Sequence, residues 1–180
     1  MEFEEKVLAT KNIFKGKVID LDVATVALPN GQQATRELIN HPGAVGVIAI
    51  TPEDKLVLIR QWRAPLKQVT LEIPAGKIEL KDQVSPLQTA MRELNEETGY
   101  QAQEFELLTE FYSSPGFANE KMYLYHALGL SKVVDKLPQD EDEFLEIVEL
   151  DQKQVQQAIA SGEICDAKTL MAILMWRLME

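Results

Sequence analysis

Cysteine is almost missing from this chain: Cys165 is the single one in 180 residues. That excludes an internal disulfide framework and fits a reducing compartment. Cys165 itself reads as a small buried hydrophobe rather than a nucleophile. Histidine is nearly as scarce, and His41 and His126 each stand alone, without a second histidine at ligand spacing, so both read as structural. A basic balance is absent too. Eighteen Lys and Arg against 29 Asp and Glu give a net charge of −11, which argues against a nucleic-acid partner. Apolar runs such as Ala44 to Ile50 are far too short to cross a bilayer. The opening MEFEEKVLAT lacks the basic and apolar regions of a signal peptide, so a cytoplasmic location without a membrane partner is expected. No internal repeat, low-complexity tract, P-loop or dinucleotide-binding glycine pattern occurs. What remains, 46% hydrophobic and 26% charged residues, is the composition of a soluble globular protein. Its length suits one well-buried domain with a small appendage.

In chain order, residues 1–42 read as a small antiparallel sheet. Lys17 to Leu28 alternates, Pro29-Asn30-Gly31 is a hairpin turn, and Gln32 to Ile39 returns. Strands so few cannot bury enough apolar surface alone and must pack on the main domain or on a second chain. His41-Pro42-Gly43 marks a border, after which residues 43–180 form the main domain. Val45 to Ile50 and Leu56 to Arg63 read as strands, the second finishing in Arg60-Gln61-Trp62-Arg63. That ending suits a sheet edge with snorkelling arginines. Glu104 to Tyr112 and Lys121 to Leu130 are further strands around the turn-forming segment 113–120. An acidic run, Asp140 to Glu143, precedes a strand from Phe144 to Leu150. Two helices close the chain. Asp151 and Asp166 are their caps. Val155, Ala158 and Ile159 should face inward in the first, and Leu170, Ile173, Leu174 and Leu178 in the second.

The chemistry concentrates between Gly76 and Tyr100, GKIELKDQVSPLQTAMRELNEETGY. Ser85, Pro86 and Gln88 form a helix start, and Gly99 supplies the left-handed stop. Leu87, Ala90, Met91 and Leu94 should face a core, with Glu93, Glu96 and Glu97 on a neighbouring face. Carboxylates crowded this way repel by roughly 0.2–0.5 kcal/mol per pair, and Arg92, four residues before Glu96, neutralises part of that. A solvated acidic face is the plain reading. The alternative is metal: hard divalent cations want oxygen ligands and are held by one or two carboxylates plus substrate phosphates. Glu93 and Glu97, one turn apart, offer that geometry. The turn Pro74-Ala75-Gly76, after the strand-like Val69 to Ile73, lets backbone carbonyls approach the same ion.

This stretch resembles the Nudix box, G-x5-E-x7-R-E-U-x-E-E-x-G-U, where U is a bulky apolar residue. Gly76 matches the first glycine, and Arg92 to Tyr100 match nine consecutive positions. Two departures stand in the first half. Asp82 occupies the first glutamate position, and two extra residues lie between it and Arg92. The resemblance implies a longer loop there and an intact ligand set. It implies an α+β fold: a Nudix-like α/β/α sandwich with a mixed sheet, plus the N-terminal antiparallel β-subdomain. Its metal would be Mg²⁺, or Mn²⁺ instead, held by Glu93, Glu96, Glu97 and the Ala75 carbonyl, with Arg92 and Glu97 in the catalytic set.

Further likenesses point to the ADP-ribose pyrophosphatase branch. Gln61-Trp62-Arg63 is similar to a Q-[YWI]-R element lying near the nucleotide, which makes Arg63, and Arg36 before it, substrate-binding candidates. Pro115, fifteen residues beyond Tyr100, and Gly116 resemble the mark of ADP-sugar pyrophosphatases. Glu120 matches a glutamate close to the substrate. A glutamate in the loop equivalent to 140–143 acts as general base or extra metal ligand in that branch; Glu143 and Glu141 both fit, Glu143 being preferred. The implied reaction is hydrolysis of ADP-ribose to AMP and ribose 5-phosphate, by a homodimer built through the N-terminal strands, with Arg36 serving the partner's site. The alternatives are another nucleoside diphosphate sugar, flavin or dinucleotide as substrate, or a Nudix-fold module that senses ADP-ribose without cleaving it.

Overall fold

The hairpin written at Pro29-Asn30-Gly31 closes as its residues dictate. Gly31 takes a left-handed φ of +83°, and its N–H donates to the Leu28 carbonyl at 2.9 Å. The computed structural model describes residues 3–78, 85–139 and 144–179. They divide into two units, residues 1–43 with 112–121, and residues 44–111 with 122–180.

In the first unit three antiparallel strands run in the order β1 (Lys6–Lys15), β2 (Asp20–Ala27) and β3 (Gln33–Asn40). Asp22, on the central strand, accepts from Asn12 and from Asn40 at 2.8 Å each and so ties all three together. Ala24 and Val26 alone in this sheet are buried, and β1 is exposed along its whole length. The segment 113–120 is stitched to the end of β3: Ile39 N–H donates to the Phe117 carbonyl at 2.8 Å, and Asn119 N–H to that of Ile39 at 3.1 Å.

The second unit holds the site. Its main sheet has the order β7 (Ala75–Lys77), β4 (Ala44–Ala49), β10 (Lys121–Leu128), β9 (Glu104–Tyr112), with β4 and β10 parallel. A second sheet runs β12 (Leu145–Leu150), β5 (Leu56–Arg63), β6 (Gln68–Glu72), all antiparallel. A short pair joins β8 (Tyr100–Gln101) to β11 (Ser131–Lys132). Strand β4 is buried at all six positions, as a strand covered on both faces must be. Val45, Val47 and Ala49 pack with Ala90 and Leu94 of α1 (Pro86–Thr98). Ile48 on the opposite face packs with Val155 and Ala158 of α2 (Gln152–Ser161) and with Ala172, Ile173 and Trp176 of α3 (Ala167–Leu178). This is an α/β/α sandwich.

Three side-chain expectations fail. Leu87 and Met91 lie 40% and 49% exposed, because Glu93 and Glu97 occupy the inward stripe with Ala90 and Leu94. In α3, Ile173 faces the core as expected, joined by Thr169, Ala172 and Trp176, but Leu174 and Leu178 point to solvent. Cys165 is exposed, its sulfur accepting from Gln68 Nε2 at 3.4 Å. A helix assembled almost wholly from apolar residues cannot bury all of them, so periodicity alone does not choose its inner face.

Candidate active site

Helix α1 is cut to length by its caps. Ser85 and Gln88 form a reciprocal capping box, and Gly99 ends the helix at φ +68°. Between them, residues 90, 93, 94 and 97 make one buried stripe. Two of those four are glutamates, Glu93 at 7% and Glu97 at 2% exposure. Burying a carboxylate costs several kcal/mol unless partners replace its water, so their presence demands an account.

The partners come from α1 itself and from β7. Arg92 Nη2 donates to Glu93 Oε1 at 2.6 Å, and its Nη1 donates to Glu96. Glu97 Oε2 accepts the Ala75 N–H at 2.9 Å. Glu93 lies against Gly76 so closely that a Cβ there would fall 1.9 Å from its Oε1. Glycine is therefore needed at 76 for close approach, not for an unusual φ. Ala75 and Gly76 are held in turn by antiparallel pairing with Gly46 and Val45 of β4. The structure thus brings Ala75, Arg92, Glu93, Glu96 and Glu97 to one place.

These residues suit a hard cation. They offer carboxylate and backbone oxygens and no soft donor, and Gly76 lets the Glu93 carboxylate lie directly against the backbone of β7. Among the described residues no three acidic, histidine or cysteine side chains close into a cage. A partial set is what Mg²⁺ uses, since it keeps several waters and takes one or two carboxylates.

A second polar cluster lies at the end of β6. Glu72, 1% exposed, accepts from Arg63 Nε at 2.7 Å and Nη2 at 2.6 Å, from Thr70 Oγ1 at 2.6 Å, and from Lys168. Burial pushes the Glu72 carboxyl up, but Arg63 and Lys168 outweigh it and hold it at about 2. The same bond to Glu72 pushes the Arg63 guanidinium up against its own burial, with smaller help from Asp166 and Glu97.

Arg36, Pro115, Gly116 and Glu120 belong to the first unit. Arg36, on β3, pairs with Glu5 through Nε at 2.9 Å. Pro115 and Gly116 sit in the 113–120 loop, which is closed by Ser113 Oγ donating to Glu120 at 2.5 Å. His41 Nδ1 lies 3.6 Å from Glu120 and accepts the Gly43 N–H at 3.1 Å. Asp82, Glu141 and Glu143 fall outside the described residues. The chain leading to the last two is anchored on α1, where Leu137 N–H donates to Asn95 Oδ1 at 2.8 Å and Lys136 Nζ to the Glu97 carbonyl at 3.3 Å.

Sequence reasoning missed Glu72, Thr70 and Lys168. A signal for Glu72 existed, an acid between Leu71 and Ile73 in a strand that must be buried, which requires a cation nearby. Lys168, 96 residues on, carried none.

Known proteins resemble this chain in sequence and in fold. The profile of the NUDIX domain matches residues 40–170. The chain is 48% identical over 178 residues to a methanol dehydrogenase activator of Bacillus methanolicus, covering 99% of this chain and 95% of that protein. It is 47% identical over 177 residues to an ADP-ribose pyrophosphatase of Bacillus subtilis (strain 168), covering 98% and 95%. In fold it is similar to the crystal structure of an ADP compounds hydrolase, with a TM-score of 0.84 and 22% identity over 97% of this chain and 92% of that one. A buried glutamate pair locked between a capped helix and a glycine-bearing strand is what the matched profile spans, and the chain belongs to the Nudix family.

Proposed function

We propose that the protein hydrolyses the diphosphate bridge of ADP-ribose to give AMP and ribose 5-phosphate, in the cytoplasm, with Mg²⁺ as its metal. The observation that carries this reading is the burial of Glu93 and Glu97 on one stripe of α1 against Ala75 and Gly76. Two carboxylates so placed, with backbone oxygens beside them, make an oxygen donor set of the kind Mg²⁺ takes. The substrate follows from the 47% identical relative named ADP-ribose pyrophosphatase.

Glu93, Glu96, Glu97 and the Ala75 carbonyl would hold the ion. When bound, Mg²⁺ neutralises diphosphate charge and acidifies water. Arg92 orients Glu93 and Glu96 through its two contacts. Arg63 binds an anionic part of the substrate, and Arg36, Pro115, Gly116 and Glu120 are further substrate contacts, Arg36 serving the partner's site in a homodimer formed through the N-terminal strands. A carboxylate of the 140–143 run, Glu143 in preference to Glu141, takes the proton from the attacking water. Glu143 comes six residues after the anchored Leu137, a reach of at most about 22 Å.

Incubating the protein with ADP-ribose and Mg²⁺ tests this: AMP and ribose 5-phosphate should form, and chelation should stop them. Absence of AMP, with ADP-ribose bound but intact, would favour a sensing module instead, a reading the relatives named for pyrophosphatase activity do not favour. A second reading rests on the 48% identical relative: the protein also activates a methanol dehydrogenase. The rate of such a dehydrogenase with and without this protein decides it.

A further inference from the structure

Outside the acidic helix face, one cluster combines burial, charge and stereochemistry. Glu72 sits between Leu71 and Ile73 at the end of β6, and a carboxylate has about four acceptor positions to fill. Oε1 accepts from Arg63 Nε and Thr70 Oγ1; Oε2 accepts from Arg63 Nη2 and Lys168 Nζ. Lys168 also donates to Asp166, the N-cap of α3, at 2.9 Å. One residue further on, Thr169 Oγ1 accepts the Ile73 N–H at 3.0 Å. The start of α3 is thus fixed to β6 at Glu72 and at Ile73, and Glu72 has no freedom to follow Arg63 if Arg63 moves.

A guanidinium has more than one edge that can grip an oxyanion with two parallel N–H donors. Glu72 takes the Nε/Nη2 edge of Arg63. Among the described residues nothing else bonds to the Nη1/Nη2 edge, which leaves it for another anion, on a side chain that is 40% exposed. The charges of Arg63, Lys168, Glu72 and Asp166 cancel. What the cluster supplies is therefore direction, a fork held in one orientation, and not excess positive charge. Stability alone does not call for such an arrangement, because a buried ion pair is often no better than apolar residues of the same volume.

We propose that Glu72, steadied by Thr70 and Lys168, is a positioning residue that locks Arg63 with its Nη1/Nη2 edge outward to grip a phosphate oxygen of the nucleotide-sugar diphosphate. This rests on the reading of the site as an ADP-ribose hydrolase. Arg63 touches the substrate; Glu72 acts through it.

Steady-state kinetics on ADP-ribose with Mg²⁺ test this with wild type, Glu72→Gln, Arg63→Lys and the double variant, each with a melting curve. Losing a hydrogen bond to a charged group should raise KM roughly ten- to hundredfold in each single variant. The loss falls on ground-state and transition-state binding alike, so kcat should stay near wild type. Arg63→Lys keeps the charge and loses the fork, so charge alone does not rescue it. In the double variant KM should be no higher than for Arg63→Lys alone, because Glu72 has nothing left to orient. A folded Glu72→Gln with wild-type KM, or effects that multiply in the double variant, would overturn the assignment. Should Glu72→Gln fail to fold, Lys168→Met decides: it leaves the Glu72–Arg63 fork but frees Glu72, and a KM rise supports the proposal while an unchanged KM overturns it. No turnover by wild type would sink the hydrolase reading and this inference with it, an outcome distinct from turnover without a KM shift.

Discussion

Replacing Gly76 by alanine adds a single methyl group where β7 meets α1. The new Cβ would lie 1.9 Å from Glu93 Oε1, 2.0 Å from its Cδ and 2.6 Å from its Cγ. Ordinary contact is about 3.5 Å, so the carboxylate has to retreat by about 1.6 Å. It has little room: Glu93 is 7% exposed, and Arg92 already holds Oε1 at 2.6 Å. Overpacking of this kind costs about 1–3 kcal/mol. For a chain of this length that lowers Tm by roughly 2–12 °C. The larger effect is on the metal, since ligand distances are satisfied only within about 0.2 Å. The Mg²⁺ concentration for half-maximal activity should therefore rise at least about tenfold, the scale seen when supports of a metal ligand are removed. The assay is ADP-ribose hydrolysis against Mg²⁺, with a metal-free melting curve on the same sample. An unchanged Mg²⁺ curve with an unchanged Tm would refute the claim that β7 clamps Glu93.

Four further outcomes are expected. Glu97→Gln should lose more than about a hundredfold in rate, while its metal-free Tm holds or rises as one like-charged pair disappears, worth roughly 0.2–0.5 kcal/mol; full activity in saturating Mg²⁺ would contradict its ligand role. Glu72 has a folded pKa of about 2 against 4.5 unfolded, so its contribution is complete above pH 4.5 and drains away as pH falls towards 2. That shift corresponds to about 3 kcal/mol, and urea titrations of Glu72→Gln should lack this part of the acid limb; an identical slope in the variant would disprove it. Glu143→Gln should cost about 10²–10⁴ in kcat, with Glu141→Gln as the comparison that identifies the base. Sedimentation at micromolar concentration should show a homodimer, and a monomer would remove Arg36 from the partner's site.

What could be read from the chain beforehand was whatever is local. Ser85, Gln88 and Gly99 delimit α1 because capping acts over three or four residues. The turn at Gly31 and the strands around it were legible for the same reason. The inner face of α1 was legible only in half. Apolar periodicity assigned it to Leu87, Ala90, Met91 and Leu94; Ala90 and Leu94 are buried, but Glu93 and Glu97 share their stripe in place of Leu87 and Met91, because Arg92 and the Ala75 N–H partner the two carboxylates. Arg63 read as a snorkelling strand end until Glu72, across the β5–β6 hairpin, gave its fork a fixed partner. Lys168 joins that cluster from the far end of the chain, and no spacing rule connects it to residue 72.

The most direct test is a crystal grown with Mn²⁺ in place of Mg²⁺ and a non-hydrolysable ADP-ribose analogue, read by anomalous scattering. An ion touching Glu93 and Glu97 and an oxygen of the diphosphate is the expected result. Glutamates still closed on Arg92 and Ala75, with the analogue bound and no anomalous peak beside them, would contradict it.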